Sequence, residues 1–192
     1  MLNLPNGLTF VRLALIPVFI ILFYWPTDQS NFYAAIVFVL AAITDLLDGY
    51  IARKFKLTTK FGAFLDPVAD KIIVCTALVL IVEHYSLYKD ALYPHLGKFI
   101  TIPSMIIIAR EITVSALREW MAELGKRANV AVSWIGKWKT TIQLVAISGL
   151  IWRQSEVMIY AAVFMLSLAT VLTLWSMIMY LKAGARYMKE GE

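Results

Sequence analysis

Asp45-Leu46-Leu47-Asp48-Gly49-Tyr50-Ile51-Ala52-Arg53 and Gly62-Ala63-Phe64-Leu65-Asp66-Pro67-Val68-Ala69-Asp70 put four carboxylates at the end of one apolar run and the start of the next. Hydrocarbon does not surround so many anions without a function. Two carboxylates about 5 Å apart repel by roughly 3 kcal/mol even at an effective dielectric near 20, so a cluster of four calls for cations. Asp45 and Asp48 are three residues apart and Asp66 and Asp70 four apart, intervals that keep each pair on one helix face. The short link between the blocks makes the two helices antiparallel neighbours, so the faces can meet. Hard oxygen ligands with no His or Cys nearby suit Mg²⁺ or Mn²⁺. Four carboxylates are enough for two divalent ions about 3.5 to 4 Å apart, an arrangement suited to phosphoryl chemistry.

Outward from these blocks the chain is apolar. Of its 192 residues 60 % are hydrophobic and the mean hydropathy is +0.73, with no polar stretch long enough for a soluble domain. Residues 1–192 therefore read as a single integral membrane domain. Six segments of spanning length, near 8–25, 32–52, 62–84, 99–120, 131–152 and 157–181, predict an all-α polytopic fold with six transmembrane helices in one bundle. An even number of spans puts both termini on one side. Arg53, Lys54, Lys56 and Lys60, then Arg118, Lys126, Arg127, Lys137 and Lys139, then Lys182, Arg186 and Lys189 mark that side, against Lys89, Lys98 and Arg153 on the other. By the positive-inside rule the termini and the carboxylate-bearing helix ends face the cytoplasm. Tyr24, Trp25, Trp120, Trp138, Trp152 and Tyr180 fall where interfacial aromatic belts are expected, although such residues also fill helix contacts.

Several features point away from other classes. The first segment lacks a basic flank and a small-residue cleavage site and contains Arg12, so it is expected to remain as a helix rather than act as a removable signal. Cys75 sits in an apolar run, where a small buried side chain is expected. The net charge of +5 follows membrane topology rather than one soluble face, which favours anionic lipid and phosphate over nucleic acid as partners. His84 and His95 fall on the side away from the carboxylates, so a Ser-His-Asp hydrolase is not expected. Pro17 predicts a kink or an opened hydrogen-bond ladder in the first helix. A cation or proton transporter could also hold carboxylates in a bundle, but transporters carry inverted repeats and midplane sites, and no repeat is visible here. A structural scaffold would leave the four anions without a role.

Gly49, Ala52 and Gly62 beside the acids let a ligand or a neighbouring helix approach the backbone, and Arg53 offers a planar donor fork to phosphate oxygens. In this combination the blocks resemble the CDP-alcohol phosphatidyltransferases, whose signature is DxxDGxxAR, a spacer of about eight residues, and GxxxDxxxD. Every specified position of that signature is filled between residues 45 and 70. The resemblance implies a six-helix membrane fold, commonly homodimeric, in the bacterial cytoplasmic (inner) membrane. It also implies a reaction in which an alcohol attacks the β-phosphorus of a CDP-activated lipid and releases CMP. Asn6–Arg12, Asp66–Lys71, Ala109–Ile112, Ala116–Lys126 and Val132–Lys137 are similar to members that use sn-glycerol 3-phosphate as acceptor. CDP-diacylglycerol and glycerol 3-phosphate are then the expected substrates.

The resemblance also implies roles. Asp45, Asp48 and Asp66 would ligate metal, with Asp70 both a metal neighbour and the general base. Asp45, Gly49, Ala52, Arg53 and Gly62 would line the cytidine diphosphate pocket. An acceptor phosphate needs cations of its own, for which Arg110, Arg118, Lys137 and Lys139 are candidates. Arg110 could instead pair structurally with Glu111, and Lys139 could be a solvated positive-inside lysine. Thr9 and Arg12 either close the pocket or, for Arg12, reach lipid headgroups. Serine, an inositol phosphate or phosphatidylglycerol are alternative acceptors. The cationic set favours a phosphorylated one.

Overall fold

A computed structural model describes residues 4–55, 59–87, 96–123 and 134–188, and every regular element among them is helical. The order is α1 Leu4–Tyr24, α2 Ser30–Lys54, α3 Lys60–Leu87, α4 Leu96–Glu123, α5 Trp134–Trp152 and α6 Glu156–Met188. Each of the six apolar segments read from the sequence coincides with one of these helices to within a few residues at most ends. Among the described residues three helices are long and apolar enough to cross a membrane, over Asn6–Tyr24, Leu96–Met121 and Glu156–Lys182. Among the described residues of α2 the apolar stretch is Ser30–Asp45. Asp66, Asp70 and Lys71 lower the hydropathy of the first turns of α3. Phe164, Met105, Ile112, Phe99 and Trp175 are all more than 60 % exposed, an outer surface that suits lipid rather than water.

The chain divides into two compact units, Met1–His84 with Ile147–Tyr160, and Tyr85–Ala146 with Ala161–Glu192. In the first, α1 packs along α2. The Phe19 ring is completely buried, 6.1 Å from the ring of Phe23 and 6.0 Å from that of Phe38. α1 is one continuous helix with Pro17 inside it, and it stops ahead of Pro26, which cannot continue a helix. α5 ends where Arg153 takes a left-handed conformation, φ 40°, and its amide donates to the Gly149 carbonyl at 2.9 Å. A position usually given to glycine is held here by side-chain contacts. Arg153 Nη2 donates to Asn31 Oδ1 at 2.6 Å, and its guanidinium lies 5.1 Å from the Phe23 ring centre. Ser155 then caps α6 by accepting from the Met158 amide at 3.3 Å.

In the second unit Val114, Leu117, Met121 and Tyr180 form a buried cluster, with Trp120 and Met177 against it. Tyr180 therefore serves as a helix contact rather than as a belt residue, whereas Tyr24, Trp25 and Trp138 are each more than half exposed. His84 meets the Phe23 ring edge-on at 6.2 Å in the first unit, and His95 lies outside the described residues. Truncating the most enclosed aromatic, Phe19→Ala, is expected to cost about 3 kcal/mol through the cavity it leaves. Thermal unfolding in detergent, compared with the exposed-site control Phe164→Ala, measures this.

Candidate active site

The start of α3 is built by a cap. Thr59 precedes the helix, and its Oγ1 accepts from the Gly62 amide at 2.9 Å, satisfying a donor that the first turn would leave open. Asn6 on α1 reaches the same hydroxyl at 3.2 Å. A methyl group on Gly62 would lie 2.5 Å from Asn6 Oδ1 and 3.1 Å from Thr59 Oγ1, so a larger residue would push Asn6 out of this clamp. The glycine of the second block is explained by the approach of α1 to the α3 cap. One and two turns further along α3 stand Asp66 and Asp70.

α1 supplies partners for all four carboxylates. Thr9 Oγ1 donates to Asp66 Oδ1 at 2.6 Å. Arg12 is completely buried, and its Nη1 lies 3.2 Å from Asp45 Oδ1 while also bonding Asp70 Oδ1. Its Nη2 bonds Asp48 Oδ2. One guanidinium therefore ties α1 to α2 and α3, using its fork of donors as an ammonium could not. Asp48 is buried with it, whereas Asp45 and Asp70 keep 39 % of their side-chain surface. Arg12 Nε is buried with no hydrogen-bond partner among the described residues.

The charges around Arg12 do not balance. Three carboxylates meet one guanidinium, leaving two negative charges in excess before Asp66 is counted. The donors are all hard oxygens, which fits Mg²⁺ or Mn²⁺ by chemistry and by the residual charge. Arg12 occupies the space among them, and no three carboxylate, imidazole or thiol groups among the described residues are gathered to share one ion. Of the residues expected at the cytidine diphosphate pocket, Asp45 and Gly62 belong to this constellation. The side chains of Gly49, Ala52 and Arg53 lie outside the described residues.

The second unit carries a cluster of the opposite sign. Glu111 Oε1 accepts from Arg110 Nη1 at 2.6 Å and from Lys139 Nζ at 3.2 Å, linking α4 to α5. Lys139 is fully buried rather than solvated, and Arg110 is 8 % exposed, its Nε without a hydrogen-bond partner among the described residues. Arg118 is engaged elsewhere in this unit. Its Nη2 donates to the Tyr180 hydroxyl at 3.3 Å, and the guanidinium lies 5.4 Å from that ring. The Lys137 side chain lies outside the described residues. Thr59, three residues before Gly62 at the head of an apolar run, is an N-cap signal in the sequence itself. Glu111 is not only a structural partner of Arg110 but the group that Lys139 shares with it.

Capped acids on α3, paired acids on α2 and a buried arginine on α1 are carried by a chain that belongs to the CDP-alcohol phosphatidyltransferase family, whose profile matches residues 2–181. Among its relatives is the CDP-diacylglycerol–glycerol-3-phosphate 3-phosphatidyltransferase of Haemophilus influenzae, 55 % identical over 182 residues that span 95 % of this chain and 93 % of that protein. The protein of the same name from Escherichia coli K12 is 52 % identical over 95 % of this chain and 94 % of its own length. That of Shigella flexneri serotype 5b is 51 % identical over the same shares.

Removing the shared guanidinium leaves Asp45, Asp48 and Asp70 facing one another without compensation. Arg12→Gln is expected to destabilise the metal-free protein by about 3–5 kcal/mol. Arg12→Lys should recover only part of the loss, since one ammonium lacks the fork that reaches both helices. Thermal unfolding in chelator-treated detergent solution gives both values.

Proposed function

We propose that the chain transfers the phosphatidyl group of CDP-diacylglycerol to sn-glycerol 3-phosphate, yielding phosphatidylglycerophosphate and CMP. The observation that carries this reading is the convergence of Asp45, Asp48 and Asp70 on one buried arginine, with Asp66 held by the same helix. Relatives of this identity, named for that reaction, support the choice of substrates.

Asp70 is the group we assign as general base. Its carboxylate keeps solvent access, and its bond to Arg12 fixes its orientation. It takes the proton of the acceptor's terminal hydroxyl as that oxygen bonds to the β-phosphorus. The bond from this phosphorus to the bridging oxygen breaks, and CMP leaves with the electron pair. Asp45, Asp48, Asp66 and Asp70 would hold the divalent ions, two in our reading. Such ions, when bound, polarise the phosphoryl oxygens and offset charge developing on the leaving group. Arg12 must then yield part of its contact with the carboxylates. The remaining rate comes from positioning the hydroxyl against the phosphorus. Gly62 and Asp45, with Gly49, Ala52 and Arg53, are proposed for the cytidine diphosphate.

Arg110 and Lys139 are the proposed acceptor-phosphate cations, with Arg118 and Lys137 as further members. A serine acceptor would make no use of two buried cations. The bias of Lys and Arg supports six membrane spans with both termini and the acids on the cytoplasmic side of a bacterial inner membrane. A homodimer is part of the same proposal.

The test is CMP release by the purified full-length chain in detergent, with CDP-diacylglycerol and glycerol 3-phosphate, serine or inositol 1-phosphate. Release with glycerol 3-phosphate alone is the expected result, and turnover with another acceptor instead would replace the substrate. Chelation should abolish release, and Mg²⁺ or Mn²⁺ should restore it. Asp70→Asn should lower kcat by about 10²–10⁴-fold with the KM for CDP-diacylglycerol little changed.

A further inference from the structure

Among its described residues the second unit holds buried polar atoms without hydrogen-bond partners. Gln143 is 4 % exposed, and its Oε1 has no hydrogen-bond partner among the described residues. It stands four residues after Lys139 on α5, hence on the same helix face and about one turn away. Lys139 is joined through Glu111 to Arg110, whose Nε is the other unpartnered atom of this group. The cluster therefore offers an unused donor on a cation and an unused acceptor on an amide. A buried amide oxygen without a donor is unfavourable, and a site containing one is incomplete until a donor arrives.

The chemistry missing from these two atoms is that of a phosphorylated alcohol. Its phosphate oxygens accept from Arg110 and Lys139, and a hydroxyl donates to the amide oxygen. In glycerol 3-phosphate the hydroxyl on the central carbon lies four bonds from phosphorus. That reach is of the same order as one helical turn, about 5.4 Å. We propose that Gln143 is a specificity-determining residue whose side-chain oxygen accepts a hydrogen bond from the central hydroxyl of the acceptor, the hydroxyl that does not react, while Arg110 and Lys139 hold its phosphate. This rests on the reaction proposed above and adds what selects among phosphorylated acceptors. A site built to bind a hydroxyl rejects the analogue lacking it, because its own polar group is left unpaired.

The test compares glycerol 3-phosphate with 3-hydroxypropyl phosphate, which keeps the terminal hydroxyl and the phosphate but lacks the central hydroxyl. CMP release is measured with the full-length wild type, Gln143→Leu and Gln143→Glu. The wild type is expected to prefer glycerol 3-phosphate by about 10- to 100-fold in kcat/KM, the effect of leaving one buried acceptor unpaired. Gln143→Leu should bring that preference to within about threefold by losing activity on glycerol 3-phosphate alone. Gln143→Glu retains an acceptor oxygen and should retain the preference, even if its charge weakens both phosphates. Equal use of the two acceptors by the wild type would overturn the inference and leave the reaction standing, and so would an unchanged preference in Gln143→Leu. No release from the wild type with either acceptor would instead overturn the reaction. If Gln143→Leu does not fold, the wild-type comparison and Gln143→Glu still decide.

Discussion

The guanidinium of Arg12 is the group that allows the acids of this chain to share one region of apolar helices. Without it Asp45, Asp48 and Asp70 would bring three like charges together where little water screens them. With it, repulsion between α2 and α3 becomes attachment of both to α1. A buried ion pair is weak evidence for stability in general, because desolvation offsets much of the attraction. Here the more informative property is geometry. Two terminal nitrogens of one rigid fork meet carboxylates from two helices, which fixes the relative register of three helices at the acids. Thr9, one turn before Arg12, extends the same face of α1 to Asp66.

The beginning of α3 is set by a second, uncharged device. Thr59 closes the first turn onto the Gly62 amide, and Asn6 holds Thr59 from α1. Asn6, Thr9 and Arg12 recur at intervals of three residues, so one stripe of α1 reads down the cap, the first acid and then the charged cluster. Gly62 belongs to this device through the space it leaves for Asn6. A cap fixes where a helix starts, and a fixed start determines the angular position of Asp66 and Asp70. The clamp and the ion pair thus act on the same variable, the rotation of α3 about its axis.

Much of this was legible in the residues. Six apolar runs gave six helices because spanning length and hydropathy are local properties. The paired acids stood out as a candidate site because charge in such runs is rare. The role of α1 was harder to read. Arg12 alone in an apolar segment has two physical outlets, the headgroup region and an anion within the fold, and sequence spacing contains no information on which anion lies 36 or 58 residues away. Tyr180 was ambiguous for a related reason, since an aromatic ring near a helix end packs equally well against lipid headgroups or against Val114 and Leu117. Lys139 also needed tertiary information, because it is the carboxylate on α4 that converts a positive-inside lysine into a buried one.

Both charged clusters follow one rule with opposite signs. In the first unit a single cation stands among acids that exceed it by two charges. In the second a single anion, Glu111, stands between two cations that exceed it by one. An internal counter-charge that is smaller than the charge it faces stabilises the empty protein and still leaves an attraction for a ligand of its own sign. Complete neutralisation would remove that attraction, and none at all would leave like charges buried together. Partial compensation also affects specificity. Because Glu111 already takes one hydrogen bond from each cation, an entering anion gains most where it also meets groups that Glu111 cannot satisfy. The unpartnered Arg110 Nε and Gln143 Oε1 are such groups, one a donor and one an acceptor. Inorganic phosphate can answer the first, but its P–OH donor sits on the phosphate itself and reaches less far than the hydroxyl of a phosphate ester. In the site we propose, a phosphate ester bearing a hydroxyl about one turn's length away answers both, so the incomplete pairing by Glu111 would favour the larger ligand over the smaller anion.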